Sequence, residues 1–209
     1  MVKEFSGKKW VGKFPDAKTT ASLSNDFRPG CEAFILAMRS AGATVTVTST
    51  RRPAERAYLM HFCWRIFKQT INPQNVPAKA GVDIEWVHTK ADGSIDLAAS
   101  RAAAKAMVNA YGIAYPPALK SRHTEGRAID MTIKWSGNLV IANRDNTPTT
   151  VTTRRATASI LHYVRWVKPI ASLRTRAIPR TGRPTGSEHA MVEVDCHRHP
   201  WPPALQDYL

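Results

Sequence analysis

An α+β fold, with helices packed on a small, mostly antiparallel sheet, is predicted by three features of this sequence. Cys31, Phe34, Ile35 and Met38 recur at helical spacing between Pro29 and Gly42. Ala43-Thr44-Val45-Thr46-Val47-Thr48-Ser49 alternates and is rich in β-branched residues, as a half-buried strand requires. A second alternating run, Ala128-Ile129-Asp130-Met131-Thr132-Ile133, lies far along the chain, with helical patterns between.

The remaining elements follow from the same periodicities. Residues 1–27 are polar and read as a loose arm or a first strand. Pro53 starts a second helix, on which Leu59, Phe62, Cys63 and Ile66 form an apolar face. Residues 71–95 are rich in turn formers and read as an ordered insertion or loop. Leu97 to Tyr111 is an alanine-rich helix closed by Gly112, and Tyr115-Pro116-Pro117 breaks the chain after it. The strand from Ala128 continues to Trp135, and Ser136-Gly137-Asn138 turns it into a second strand, Leu139-Val140-Ile141. A last helical stretch is expected from about Thr152 to Val164.

Composition narrows the functional classes. At 209 residues the chain fits one domain, or one domain with an appendage, and 43% hydrophobic residues supply a core. No apolar run is long enough for a membrane span. Cys31, Cys63 and Cys196 are an odd number without metal-type spacing, so they read as reduced thiols. The formal charge of +14 attracts anionic partners such as nucleic acid, anionic lipid or a wall polymer. The positive charges are scattered, without basic residues interleaved with aromatics, so no specific nucleic-acid partner is expected.

The chemistry concentrates in Ser121-Arg122-His123-Thr124-Glu125-Gly126-Arg127-Ala128-Ile129-Asp130. Imidazole nitrogen and carboxylate oxygen are good ligands for a divalent metal such as zinc. A glycine turn running into a strand can aim His123 and Asp130 at one point, and Ala128, on the face of Asp130, leaves room for an ion. Five fixed residues at this spacing should arise by chance in about one chain of this length in ten thousand.

This S-x-H-x-x-G-x-A-x-D pattern resembles the first metal motif of the LAS-type zinc peptidases. That group includes lysostaphin-like enzymes, D-Ala-D-Ala carboxypeptidases and L-alanyl-D-glutamate endopeptidases, with hedgehog-like relatives. The resemblance implies a hedgehog/D-Ala-D-Ala-peptidase-like fold over residues 1–164, with zinc as cofactor and His123 and Asp130 as metal ligands. It implies a zinc-dependent hydrolase of peptidoglycan stem-peptide amides, either carboxypeptidase or endopeptidase. The alternative is a catalytically inactive descendant that binds wall peptide or a protein partner. No secretory signal is visible at Met1-Val2-Lys3-Glu4-Phe5, so phage lysis or a dedicated secretion route would have to carry such an enzyme to the wall.

Upstream, Ser49-Thr50-Arg51-Arg52 at a strand-to-helix junction is similar to the family's S-G-x-R segment, with Thr50 in place of glycine. On that alignment Arg52 binds a substrate carboxylate or the oxyanion, chemistry suited to a guanidinium. Ser121 would hydrogen-bond substrate or orient a ligand, or serve as an ordinary turn serine. Glu125 reads as a solvated loop residue. Glu85-Trp86-Val87-His88 has the E-x-x-H form of a second metal motif but precedes the first, against the family order.

A hydrolytic zinc site also needs a third ligand and a general base, and the catalytic residues are therefore unassigned. His189, His197 and His199 are the open choices for the third ligand. Met191 occupies the position where the family's pattern places it, and prolines follow His199 at once. Residues 165–209 are an atypical basic, proline-rich tail holding six of the 14 prolines. Ala177 to Gly186 can be encoded as GCG ATC CCC CGC ACT GGT CGA CCG ACG GGC. Read from the third base, that DNA gives D-P-P-H-W-S-T-D-G, the form of the family's missing second motif. A frameshift near Val164 is therefore one reading of the tail, decided by sequencing the locus.

Overall fold

The structure is a computed structural model that describes residues 3–142, 148–151, 172–176 and 188–195. In chain order its elements are β1 (Glu4–Phe5), α1 (Arg28–Ser40), β2 (Thr44–Ser49), α2 (Ala54–Phe67), β3 (Ile84–Glu85), β4 (His88–Thr89) and β5 (Ile95–Asp96). Then come α3 (Leu97–Tyr111), α4 (Arg122–Glu125), β6 (Ala128–Trp135), β7 (Leu139–Ala142), β8 (Pro148–Val151), β9 (Ser172–Arg176) and β10 (Glu188–Asp195). Helices beside small, mostly antiparallel sheets make this an α+β protein. The chain divides into two compact units, residues 1–16 with 52–124, and residues 17–51 with 125–209.

The first unit is helical. Leu59, Phe62, Cys63 and Ile66 of α2 pack with Ala104, Met107 and Val108 of α3. Pro53 precedes α2 in extended backbone, and Gly112 ends α3 at φ 66°, a left-handed cap that glycine adopts without steric cost. The Asp96 carboxylate caps the start of α3 by accepting the Ala99 N–H at 2.8 Å. Residues 71–95 are more than a loop. Their Val82, Ile84 and Trp86 enter the same core, and β3 pairs in parallel with β1. Isolated apolar residues among turn formers carry no period, so the sequence alone did not reveal this contribution.

The second unit is built on a four-stranded antiparallel sheet in the order β2-β6-β10-β9. Ile129, Met131, Ile133 and Trp135 of β6 alternate onto one face, where Phe27, Cys31, Phe34, Ile35 and Met38 cover them. Strand β7 joins that core through Leu139 and Ile141 and pairs with β8 rather than with β6. Burying about six such side chains fully is worth on the order of 10 kcal/mol before entropy is counted. The opposite face of β6 carries Ala128, Asp130, Thr132 and Lys134.

The expected helix at 152–164 lies outside the described residues, as do Cys196, His197, His199 and the 177–187 segment of the frameshift reading. Within the stretch read as a tail, β9 and β10 are both strands of the sheet.

Candidate functional site

His123 belongs to the first unit and Asp130 to the second, so each is described in its own surroundings. His123 sits on the single helical turn α4 and is 7% exposed. Its carbonyl accepts the Arg52 N–H at 2.9 Å, which ties this turn to the start of α2. Ser121 and Thr124 close a reciprocal box around the turn. The Thr124 hydroxyl accepts the Ser121 N–H at 2.8 Å, and Ser121 Oγ accepts the Thr124 N–H at 3.4 Å. Ser121 is thus a cap that orients the segment bearing His123. The loop before it is pinned by His61, whose Nδ1 lies 2.7 Å from the Pro117 carbonyl.

In the second unit Gly126 turns the chain into β6 at φ 71°. A Cβ there would lie 3.2 Å from both the Ser22 carbonyl oxygen and the Ser24 nitrogen, and these are backbone atoms that cannot swing aside. Gly126 also accepts the Ser24 N–H at 2.9 Å. Glycine is required here for conformation and for space. The turn delivers Ala128, fully buried, and half-buried Asp130 to the sheet face away from the core.

Asp130 lies in the middle of a polar row. Ser49 of β2 is registered across from it on one side, after a shift in the β2–β6 pairing, and Glu193 of β10 on the other. Arg174 of β9 is registered across from Glu193. His189 pairs instead with Lys134, four residues and about 13 Å further along the strand. Met191 is registered with Thr132. Glu193 is therefore the donor-type residue of β10 at the level of Asp130. Among the described residues no three His, Cys, Asp or Glu side chains converge as a metal-binding group.

Thr50 is fully buried, and its hydroxyl lies 2.7 Å from Ser22 Oγ, while its N–H donates to the Ala17 carbonyl at 2.8 Å. The side chain thus fills a hydrogen-bonded niche. Arg52 faces Asp16. Its Nε is 3.3 and 3.4 Å from the two carboxylate oxygens, and its Nη2 is 3.2 Å from one of them. Asp16 was missed in the sequence reading. The sequence signal for it is weak: Arg52 just before α2 and Arg56 in its first turn place two positive charges near one another, which favours a nearby carboxylate.

Glu85 and His88 serve the first unit's structure. Glu85 Oε1 accepts the Val87 N–H at 3.0 Å, His88 Nε2 lies 3.0 Å from Ser6 Oγ, and Trp86 donates to the Tyr58 hydroxyl at 3.2 Å. Glu125 is exposed. Burial pushes the Cys63 thiol up to about 12, which leaves it inert as a nucleophile.

Comparison with protein-family models, curated proteins and solved structures gave no match.

Proposed function

We propose that this chain is a zinc-dependent peptidase of the LAS type, with a hedgehog/D-Ala-D-Ala-peptidase-like architecture, acting on peptidoglycan stem-peptide amides as carboxypeptidase or endopeptidase. The reading is carried by the spacing of His123 and Asp130 around a turn whose left-handed φ and close backbone neighbours favour glycine, with Ala128 and Asp130 on the non-core face of β6. The donor chemistry of His123 and Asp130 fits zinc, and these two residues would hold it. A bound zinc ion supplies a Lewis acid that polarises the scissile carbonyl and lowers the pKa of coordinated water. Two donors do not complete such a site. Glu193, registered across from Asp130, is the candidate in β10 for the third donor or the general base, and His197 and His199 stay open.

Arg52 would bind a substrate carboxylate or the developing oxyanion, and Ser121 supports His123 through the helical turn. The charge of +14 suits approach to an anionic cell envelope. No helix among the described residues is long and apolar enough to cross a membrane.

A second reading, a catalytically inactive protein that binds wall peptide or a partner, is favoured by Met191, a poor zinc donor, at the position where the family's pattern places its third ligand. Zinc calorimetry on the metal-free protein, beside digestion of purified peptidoglycan, separates the two. The peptidase reading expects tight zinc binding and released peptide, both abolished in His123→Ala and in Asp130→Asn. Zinc binding without peptide release supports the inactive descendant. Absence of zinc binding in the wild type overturns the metal assignment.

A further inference from the structure

Helices α2 and α3 close on the same pair of backbone hydrogen bonds but on different residues. At the end of α3 the Gly112 N–H donates to the Asn109 carbonyl and the Ile113 N–H to the Val108 carbonyl, both at 3.1 Å, with Gly112 at φ 66°. At the end of α2 the Gln69 N–H donates to the Ile66 carbonyl at 3.1 Å and the Thr70 N–H to the Arg65 carbonyl at 2.9 Å, with Gln69 at φ 58°. This left-handed position favours glycine, because a Cβ there crowds the following carbonyl. Among the described residues only Phe14 and Gln69 hold a positive φ without being glycine. A strained position that keeps a long polar side chain directs attention to what that side chain lines.

Gln69 lines a cavity within the first unit, between the end of α2 and the start of α3. Its volume is about 240 Å³, roughly that of eight waters in the liquid. Ile71, Pro73 and Leu97 form the apolar wall, Pro73 buried and the other two half-buried. The polar wall includes Gln69, Asn72 and Arg101. Asn72 Oδ1 already accepts the Gln74 N–H at 3.0 Å, so its amide has the Nδ2 donor left for a ligand. Arg101 stands one helical turn beyond Leu97 on the same face of α3 and adds a planar fork of donors. The lining contains no carboxylate. The carboxylate next to it in sequence, Asp96, is committed to the Ala99 N–H.

We infer that this cavity is a binding site for a small organic carboxylate, well below drug size. The carboxylate pairs with the Arg101 guanidinium, whose single charge and fork match a monoanion. Asn72 and Gln69 meet the ligand's other hydrogen-bonding groups, and Ile71 and Leu97 cover its apolar part. Gln69 then explains its own strain: glycine would close α2 at less cost but would leave the cavity one polar group short. None of these residues belongs to the His123–Asp130 motif, so the site stands whether or not the chain is a peptidase.

The test titrates the isotope-labelled full chain with N-acetylalanine, with N-acetylalaninamide as its neutral counterpart and inorganic phosphate as the rival anion, read by amide chemical shifts. N-acetylalanine should shift the amides of residues 69–73 and 97–101, with a Kd of about 1 mM or tighter. The neutral probe should bind about tenfold more weakly or worse, the value of a charge-assisted hydrogen bond. Arg101 is exposed, so Arg101→Gln should fold normally and abolish that preference. Asn72→Asp keeps the acceptor for the Gln74 N–H but replaces the donor by a negative charge, so it should weaken the carboxylate more than the amide. Gln69→Gly should raise the melting temperature by about 2 °C while weakening both probes, a combination that a merely structural glutamine would not give. Shifts absent from residues 69–73 and 97–101, equal affinity for the two probes, or Gln69→Gly that binds like the wild type each overturn the inference. Phosphate binding more tightly than N-acetylalanine at the same residues overturns the carboxylate assignment.

Discussion

Replacing Gly126 by alanine perturbs the turn that links the histidine and aspartate of the motif. Its φ of 71° is left-handed, which costs an alanine about 1–2 kcal/mol. The new Cβ meets two backbone atoms at 3.2 Å, Ser22 O and Ser24 N, and relieving that crowding costs about 1 kcal/mol more. Alanine also restricts the unfolded chain, which returns about 0.4–1 kcal/mol. The net loss is about 2 kcal/mol, or a fall of about 4–8 °C in the melting temperature of a chain this size. Gly137→Ala provides the control, because Gly137 has φ 69° in the same unit and nothing within 4 Å of the added Cβ. It should cost about 1 kcal/mol or less, the backbone penalty alone. Urea titrations followed by circular dichroism give both values. Equal destabilisation by the two substitutions, or none at Gly126, would refute the claim that space at the Ser22–Ser24 backbone dictates this glycine.

Three further outcomes are expected. Ser121→Ala removes the cap on α4 and should cost about 1 kcal/mol by urea titration, with Ser121→Asp recovering most of it. Burial pushes the Tyr111 phenol up to about 12, whereas an unfolded phenol titrates near 10. The folded value is the higher one, so this stability is intact below about pH 10 and is lost as pH rises from there towards 12; the slope of melting temperature against pH should flatten in that window in Tyr111→Phe. With Cys63 as the sole cysteine, labelling by a thiol reagent at pH 8 should wait on unfolding and accelerate sharply in urea, and rapid labelling of the native protein would contradict its burial.

Much of the fold was legible because its elements carry strong periods. Helix α1 begins at Arg28, beside the predicted Pro29, with its apolar stripe from Cys31 to Met38, and the β-branched run became β2. Gly112 and Gly126 both sit at positive φ, the conformation their positions in the sequence implied. The insertion at 71–95 was less legible, since Val82, Ile84 and Trp86 are core residues without a repeat to announce them.

The chemistry divides along a similar line. Local sequence sufficed to place Ala128 and Asp130 on one face after Gly126, because a turn entering a strand fixes which of its residues alternate together. Only tertiary structure could reveal Asp16 as the partner of Arg52, a contact across 36 positions of chain, or put Glu193 rather than His189 at the level of Asp130. Alternation on β10 says which residues share a face, and only pairing with β6 says which of them stands opposite a given atom. Register and long-range charge pairing depend on how separate segments meet, and no local pattern records that.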